Sequence, residues 1–377
     1  MAKLATKRGD HSCLNIVMLK SSLPKSIMGW DIGGAHLKAV LLDANDNVLR
    51  IQQLPCPLWR GLHELDSAIQ NMLKAFRIEA YDAIINLNHA VTMTGELVDL
   101  FANRHEGVMA ISSLSTKLLG KETLFYAANS GFVRLEDVKR LTNDIASANW
   151  YASASALAMH VKDALLIDIG STTTDIIPIY NGAVAIGALS DAARLQNDTL
   201  VYTGVVRTPI MALAQKLPFE GLETNVAAEY FATMADVYRL TGDLDAASDM
   251  AETADGKGKT ELESARRLAR MIGQDVENYS LATWKNLANT CKTTQMKQLN
   301  TALLKHLKPN MPIIGAGAGS FLVEALACEL KHAYQPISIL LSTPIDLSKQ
   351  HDLDVCLPAY AVALLAKKQL ARQHAKT

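Results

Sequence analysis

Two stretches of this chain, "IMGWDIGGAHLKAVLL" from residue 27 and "ALLIDIGSTTTDIIPI" from residue 164, superpose at an offset of 164 − 27 = 137. Asp31 falls on Asp168, Ile32 on Ile169, Gly33 on Gly170 and Lys38 on Asp175. Each stretch is an apolar strand that runs into Asp-Ile-Gly, a turn of small residues, and a second apolar strand. A single Asp-x-Gly arises by chance in a chain of 377 residues, whereas two in the same strand–turn–strand setting do not do so easily. The chain is therefore expected to contain two copies of one sheet-forming unit.

The repeat also points to chemistry. A glycine turn between strands exposes backbone N–H groups that no ladder partner uses, and such groups make an anion-binding concavity. The hydroxyls of Ser171, Thr172, Thr173 and Thr174 add donors for phosphate oxygens. An Asp entering the turn repels phosphate but holds Mg²⁺, directly or through water, and Mg²⁺ bridges one or two carboxylates to phosphates. Asp31 and Asp168 on facing hairpins thus suit a magnesium–phosphate ligand in an interdomain cleft. The plainer alternative is that Gly33 and Gly170 only turn hairpins and that each Asp caps its own turn. A third glycine cluster, Gly315, Gly317 and Gly319 in "PIIGAGAGSFLVEAL", ends a strand just before a helix. It suits either backbone approach to a nucleotide or diphosphate, or close helix–strand packing. It is not a Rossmann fingerprint, because Ser320 stands at the third glycine position. "ADGKGKT" ends like a Walker A loop, but Thr253 replaces the first glycine and no strand leads in, so a solvated loop before a helix is expected.

Composition narrows the class. Nearly half the residues are hydrophobic (49%) and a fifth are charged (20%), which favours a folded chain over disorder. The formal charge of 37 − 38 = −1 gives no overall attraction for nucleic acid. Five cysteines without a CxxC pair fit a reduced, cytoplasmic protein better than a disulfide or zinc scaffold. No run reaches 18 apolar residues, so no membrane partner is expected; oligomeric state is not legible.

A loose extension is expected over 1–26, a first domain over 27–160, and a second over 161–377 with an all-helical subdomain at about 210–308. Within the first domain "YDAIINLNHAVTM" reads as a strand, "TGELVDLFANRHEG" as a helix between Thr94 and Gly107, and "GVMAISS" and "ETLFYAA" as strands. "LEDVKRL" and "NWYASASALAMHV" read as helices. Within the second, "NVAAEYFATMADVYRL" and "TELESARRLARMIGQDVENYSL" read as amphipathic helices. "MPIIGAG" and "SILLS" read as strands, and "SFLVEALACELKH" and "PAYAVALLAKKQLARQHA" as helices.

Paired Asp-Ile-Gly hairpins and a late Gly-Ala-Gly-Ala-Gly turn resemble the acetate/sugar kinase–Hsp70–actin superfold, in which two ribonuclease-H-like domains clasp a phosphate ligand. A closer likeness is carried by "MGWDIGGAHLKAVLLD", "TMTGELVDLFANRHEGV", "ANWYASA", "LLIDIGSTTTDIIPI", "YTGVVRTP", "AEYFATMADVYRLTG" and "TADGKGKT". With these the chain, from about Ile27 to Leu370, resembles the tetrahydromethanopterin-linked C1-transfer pathway family, a hydantoinase/oxoprolinase-like branch of the superfold.

The resemblance implies an α/β fold of two ribonuclease-H-like domains with a helical insertion in the second half. It also implies a transferase of methanofuran-type cofactor biosynthesis. An aminomethyl-furanmethanol diphosphate would condense with γ-glutamyltyramine, giving a phenoxymethyl-furan ether and pyrophosphate. On that reading Asp31 and Asp168 hold Mg²⁺, and Gly33, Gly34, Gly170, Ser171, Thr172 and Thr173 face the diphosphate. Lys38 either reaches phosphate or packs its stem along apolar surface. Asp175 is either the base for the phenol or a carboxylate bound to turn amides. Arg207 binds pyrophosphate or the glutamyl carboxylate, or is structural. Trp150 and Tyr151 flank an aromatic substrate or, better, pack in the core. His89, Glu96, Asp191 and Arg194 are lesser candidates near the cleft. The competing expectations are an ATP-dependent small-molecule kinase or hydantoinase-like ATPase on the same clasp, and a non-catalytic sensor.

Overall fold

The computed structural model describes residues 26–187, 189–341 and 350–374. The expected N-terminal extension, Ser26 apart, lies outside the described residues.

The first repeat opens an antiparallel meander of β1 (Ile27–Ile32), β2 (His36–Leu42) and β3 (Val48–Pro55). Every residue of β1 is buried, which is why it reads as one continuous apolar run and not as an alternating strand. The β2–β3 turn is set by Asp43, whose carboxylate accepts the amides of Asn45 (2.7 Å) and Asn47 (2.9 Å). β4 (Asn88–Met93) lies parallel to β1, β5 (Leu124–Tyr126) parallel to β4, and β6 (Phe132–Val133) closes the edge, giving the order β3-β2-β1-β4-β5-β6.

The second repeat opens the same way, with β7 (Ala164–Ile169) antiparallel to β8 (Thr174–Tyr180), extended by β9 (Ala183–Val184) and β10 (Leu200–Val201). A separate hairpin, β11 (Lys216–Phe219) and β12 (Leu222–Asn225), and a run of helices intervene before β13 (Ile313–Ala316) returns parallel to β7 and β14 (Tyr334–Pro336) joins it. The order is β10-β8-β7-β13-β14. In both sheets the opening strand is central, with its hairpin partner antiparallel on one side and a later strand parallel on the other. The chain is therefore a two-domain α/β protein of the actin/Hsp70/sugar-kinase type with helical insertions, as the repeat and the resemblance had implied.

Met28, Trp30 and Ile32 pack with the helices Leu62–Ala75 and Arg104–Leu119 in one core, and Leu165, Ile167 and Ile169 pack with the inserted helices in another. A third core lies between the sheets and holds Ile27, Leu166, Ile177 and Ala316 with the helices Asn149–Leu157 and Leu357–His374. The last helix packs on β1, β2 and β4, so residues 357–374, placed by sequence in the second domain, return to the first sheet. At Gly29 an added Cβ would run into the Ala359 carbonyl, so only glycine lets β1 approach this helix.

Several local expectations are corrected. Tyr81–Asn86 is a helix and the strand begins only at Asn88. "GVMAISS" is helical: Gly107, Val108, Ile111, Ser112, Ser115 and Leu119 form the buried stripe of Arg104–Leu119, at the spacing of one helical face. Asn103 caps that helix by accepting the Glu106 amide (2.9 Å), whereas Thr94 precedes only a single turn at Gly95–Leu97. Gly107 does not end the helix; a Cβ there would lie 2.7 Å from the Glu96 carbonyl oxygen. The helix expected over "NVAAEYFATMADVYRL" is confined to Met234–Thr241, started by a Thr233/Asp236 capping box. The inserted region is not all helical, because Glu220 and Gly221, both at positive φ (47° and 80°), turn the β11–β12 hairpin. "SILLS" is not a strand: Ile337–Leu340 is a helical turn, and the pairing residues are Tyr334–Pro336 just before it.

Candidate functional site

A cavity of about 580 Å³ lies between the two hairpins, lined by Asp31, Gly33, Gly34 and Lys38 from the first and by Asp168, Gly170, Ser171, Thr172, Thr173 and Asp175 from the second. The hairpin registers, Asp31 opposite Lys38 and Asp168 opposite Asp175, place Lys38 and Asp175 at matching positions of the repeat. Each turn is tied by its own glycine: the Gly33 amide donates to the His36 carbonyl and the Gly170 amide to the Thr173 carbonyl, both at 2.9 Å. Those two N–H groups are therefore spent. The amides of Gly34, Ala35, Ser171 and Thr172 have no hydrogen-bond acceptor among the described residues and are the available anion donors.

The second turn is held from behind by residues 204–207. Val205, Val206 and Arg207 donate their amides to the carbonyls of Gly170 (3.1 Å), Ser171 (3.1 Å) and Ser171 (2.8 Å) respectively. A Cβ on Gly204 would meet the Gly170 carbonyl oxygen at 2.6 Å, so a glycine is needed for the loop to lie on the turn. Arg207 reaches the cavity from this loop with its guanidinium 5.7 Å from the centre of the exposed Trp59 ring.

Charge on the cavity floor is concentrated and paired unevenly. Asp31 is 3% exposed; its Oδ2 lies 3.4 Å from Lys38 Nζ, and its Oδ1 is buried without a hydrogen-bond partner. Burial raises the Asp31 carboxyl and Lys38 offsets part of that rise. Burial pulls the Lys38 ammonium down, but Asp31, then Cys356 and Asp168, outweigh it and hold Lys38 charged. Asp168 is pushed up to about 7, by burial first and then by Asp175, with Lys38 opposing.

Asp175 is held by Arg194, which donates from Nη2 to Oδ1 at 2.6 Å and to the Thr199 carbonyl at 2.8 Å. Arg194 is itself 1% exposed and stacks 3.8 Å from the centre of the Trp150 ring. Burial raises the Asp175 carboxyl while Arg194 favours its charged form. His36, also on the wall, is lowered to about 4 by burial, Lys38 and Arg207, and is neutral at pH 7.

Other sequence candidates lie elsewhere. Thr174 is fully buried and its hydroxyl donates to the Thr203 carbonyl at 2.6 Å, so it braces the turn and is absent from the cavity wall. Gly315, Gly317 and Gly319 are not on the wall either. A Cβ on Gly317, at φ 81°, would strike Asp168 Oδ1, and one on Gly319 would meet the Ile169 side chain at 2.5 Å. These glycines let the strand-to-helix turn close on Asp168 and Ile169. Lys259 and Thr260 belong to a loop and a helix cap, Thr260 Oγ1 accepting the Glu263 amide at 3.3 Å. His89 is internal, accepting from Trp30 Nε1 at 3.1 Å. Tyr151, half-buried, packs edge-on against Trp150.

Sequence reasoning missed Trp59, Thr94, Ser147, Asn149 and Tyr202 on the wall, and the brace Gly204. Only Gly204, inside "YTGVVRTP", carried a readable signal, since a lone glycine in an apolar run often marks close backbone approach.

The hydantoinase/oxoprolinase family model matches residues 88–342. The (4-{4-[2-(gamma-L-glutamylamino)ethyl]phenoxymethyl}furan-2-yl)methanamine synthase of Methanocaldococcus jannaschii is 31% identical over 348 residues, covering 91% of this chain and 98% of the synthase. The synthase of the same name from Methanococcus vannielii is 31% identical over 219 residues, covering 55% of this chain and 93% of that protein. Among solved structures, nucleotide-free acetone carboxylase superposes with a TM-score of 0.53 at 9% identity, covering 90% of this chain and 70% of that one, a likeness of fold alone. The chain belongs to the hydantoinase/oxoprolinase family, together with the two furan-methanamine synthases that it matches.

Proposed function

We propose that this protein is a biosynthetic enzyme of transferase type. It joins an aminomethyl-furanmethanol diphosphate to the phenol of γ-glutamyltyramine and releases pyrophosphate, in the making of a methanofuran-type cofactor for tetrahydromethanopterin-linked C1 metabolism. The observation that carries the reading is one cavity bounded by two hairpin turns with free amides, a half-buried lysine, and a paired carboxylate at the matching position.

In this reaction the bond from the furan methylene to the diphosphate oxygen breaks, and a bond from the phenol oxygen to that methylene forms. The furan oxygen stabilises positive charge on the methylene, so the protein's main task is to accept the leaving anion. The amides of Gly34, Ala35, Ser171 and Thr172, the hydroxyls of Ser171, Thr172 and Thr173, and the Lys38 ammonium supply that stabilisation. Asp175, with one oxygen anchored on Arg194, accepts the phenol proton. Arg207 and Trp59 line the same cavity and offer the substrates a cation and an aromatic face.

The donor set fits a magnesium ion. Asp31 Oδ1 is a buried acceptor without a partner, and Asp168 is a carboxyl crowded by other carboxyls. No group of three or more His, Cys, Asp or Glu among the described residues is arranged to hold a metal ion by itself, so Asp31 and Asp168 would provide the protein's share and phosphate and water the rest. Held by Asp31 and Asp168, such an ion would supply positive charge against a departing pyrophosphate. Among the described residues no helix is long and apolar enough to cross a membrane.

The test mixes the protein, Mg²⁺, the furanmethyl diphosphate and γ-glutamyltyramine without ATP. Ether and pyrophosphate are expected in equal amounts. ATP hydrolysis with no ether would instead select the ATPase or kinase reading.

A further inference from the structure

Around the cavity, three carboxyls are answered by cations: Asp31 by Lys38, Asp175 by Arg194, and Asp191 by Arg104 at 2.7 Å. Three more, Asp168, Asp99 and Glu96, form no salt bridge among the described residues, and of these Asp99 is exposed to solvent. Asp168 sits at the hairpin turns, where a metal is the natural counterion. Glu96 is elsewhere, on the turn after β4, and is 1% exposed.

Glu96 Oε1 accepts from Ser147 Oγ at 2.8 Å, while Oε2 is buried with no hydrogen-bond partner among the described residues. Ser147 Oγ also lies 3.3 Å from Asp191 Oδ2, which joins Glu96 of the first domain to Asp191 of the second. Arg104 balances one of these two carboxylates and leaves the other without a cation. Ser147 and Asp191 face the cavity directly, beside Asn149. A buried charge with neither a cation nor a full set of hydrogen bonds is costly unless a ligand completes it.

We propose that Ser147, Asp191 and Asn149, backed by Glu96, seat the primary ammonium of the furan substrate's aminomethyl arm. An ammonium has three N–H donors and no acceptor, and this wall offers it a hydroxyl oxygen, a carboxylate and an amide carbonyl. The cluster and the hairpin turns line the same cavity, as a ring with an anionic arm and a cationic arm requires. Glu96 acts through Ser147, so it is a positioning residue: its negative charge makes the wall selective for a cation. Burial pushes the carboxyl up to about 7, with Ser147 opposing, and a cation seated beside Ser147 would draw it back toward its charged form. Gly107 secures its place, since any side chain there would press on the Glu96 backbone.

This inference rests on the proposed furan diphosphate as substrate. The test measures binding of two diphosphates by calorimetry with Mg²⁺ and no acceptor: the aminomethyl-furanmethyl compound, and the same ring with methyl in place of aminomethyl. Wild type is expected to prefer the aminomethyl compound by roughly 10–100-fold, the range of a charged hydrogen bond. In Glu96→Gln the preference should collapse to within a few-fold, with affinity for the methyl compound kept. Ser147→Gly removes the hydroxyl at a residue whose φ of 52° suits glycine, and should cut the preference in a fold that is not strained. Equal weakening of both compounds, or an unchanged preference in both variants, would overturn the ammonium seat. If the preference collapses as stated but wild type forms no ether with the acceptor, the seat stands and the proposed reaction is what fails.

Discussion

Asp168 sits among Asp175, Asp31 and Asp354 with only Lys38 to offset them, and its carboxyl is held at about 7. The sign of the consequence follows from linkage. A carboxyl whose folded value lies above its unfolded value near 3.8 binds an extra proton in the native state, so its contribution to stability is full below pH 4 and is lost as pH rises to about 7. Asp168→Asn removes that loss. At pH 8 the variant should be more stable than wild type by on the order of 1–2 kcal/mol in urea unfolding, the difference shrinking toward pH 4, while ether formation is abolished. Mg²⁺ with pyrophosphate should raise the melting temperature of wild type and not of the variant. A variant no more stable at pH 8 would mean that Asp168 is not a strained carboxyl. Glu96 carries the same sign for the same reason, so wild type should show its steepest loss of stability between about pH 5 and 7.

At the scale of elements, the hairpins were legible and the far wall was not. Asp31, Lys38, Asp168 and Asp175 occupy fixed registers in strands whose apolar runs announce themselves, so an internal alignment sufficed to bring them together. Ser147 and Asn149, at the start of the helix Asn149–Leu157, meet Tyr202 of a distant segment only through tertiary packing, and no local pattern marks them. The misread segments have a common cause: "GVMAISS" and "SILLS" are rich in β-branched or leucine residues, and burial within a helix selects for the same residues as a strand. The glycines illustrate the difference between a motif and a contact. Gly204, Gly317 and Gly319 touch the turn or strand that bears the chemistry, yet none contributes to the cavity wall. Gly204→Ala should therefore act through the Gly170–Thr172 turn. It should cost about 1–3 kcal/mol by overpacking and lower kcat/KM by more than that loss of folding explains, measured at a temperature where the variant is fully folded. Normal kinetics in a folded Gly204→Ala protein would show that the turn does not need this support.

For the molecule as a whole, the inserted helices are fastened by charge as well as by apolar packing. Arg267, fully buried, donates to Asp236 (2.8 Å) and Asp255 (3.0 Å), and Arg239 holds both Asp236 (2.8 Å) and Asp249 (2.6 Å). Arg267→Met removes the fully buried cation between Asp236 and Asp255, leaving them only Arg239 and Arg270, and should cost about 3–5 kcal/mol, whereas Arg60→Ala, which breaks the exposed bridge to Glu252, should cost less than about 1 kcal/mol. Equal losses in chemical denaturation would contradict that division between buried and exposed pairs. The C-terminal helix has a different kind of consequence. Because Leu357–His374 covers β1, β2 and β4, the first sheet is covered by residues synthesised 357 − 27 = 330 positions after β1 begins. At about 5–20 residues per second of synthesis, the nascent first sheet waits with one apolar face bare for tens of seconds, the interval in which chaperone binding or aggregation competes with folding.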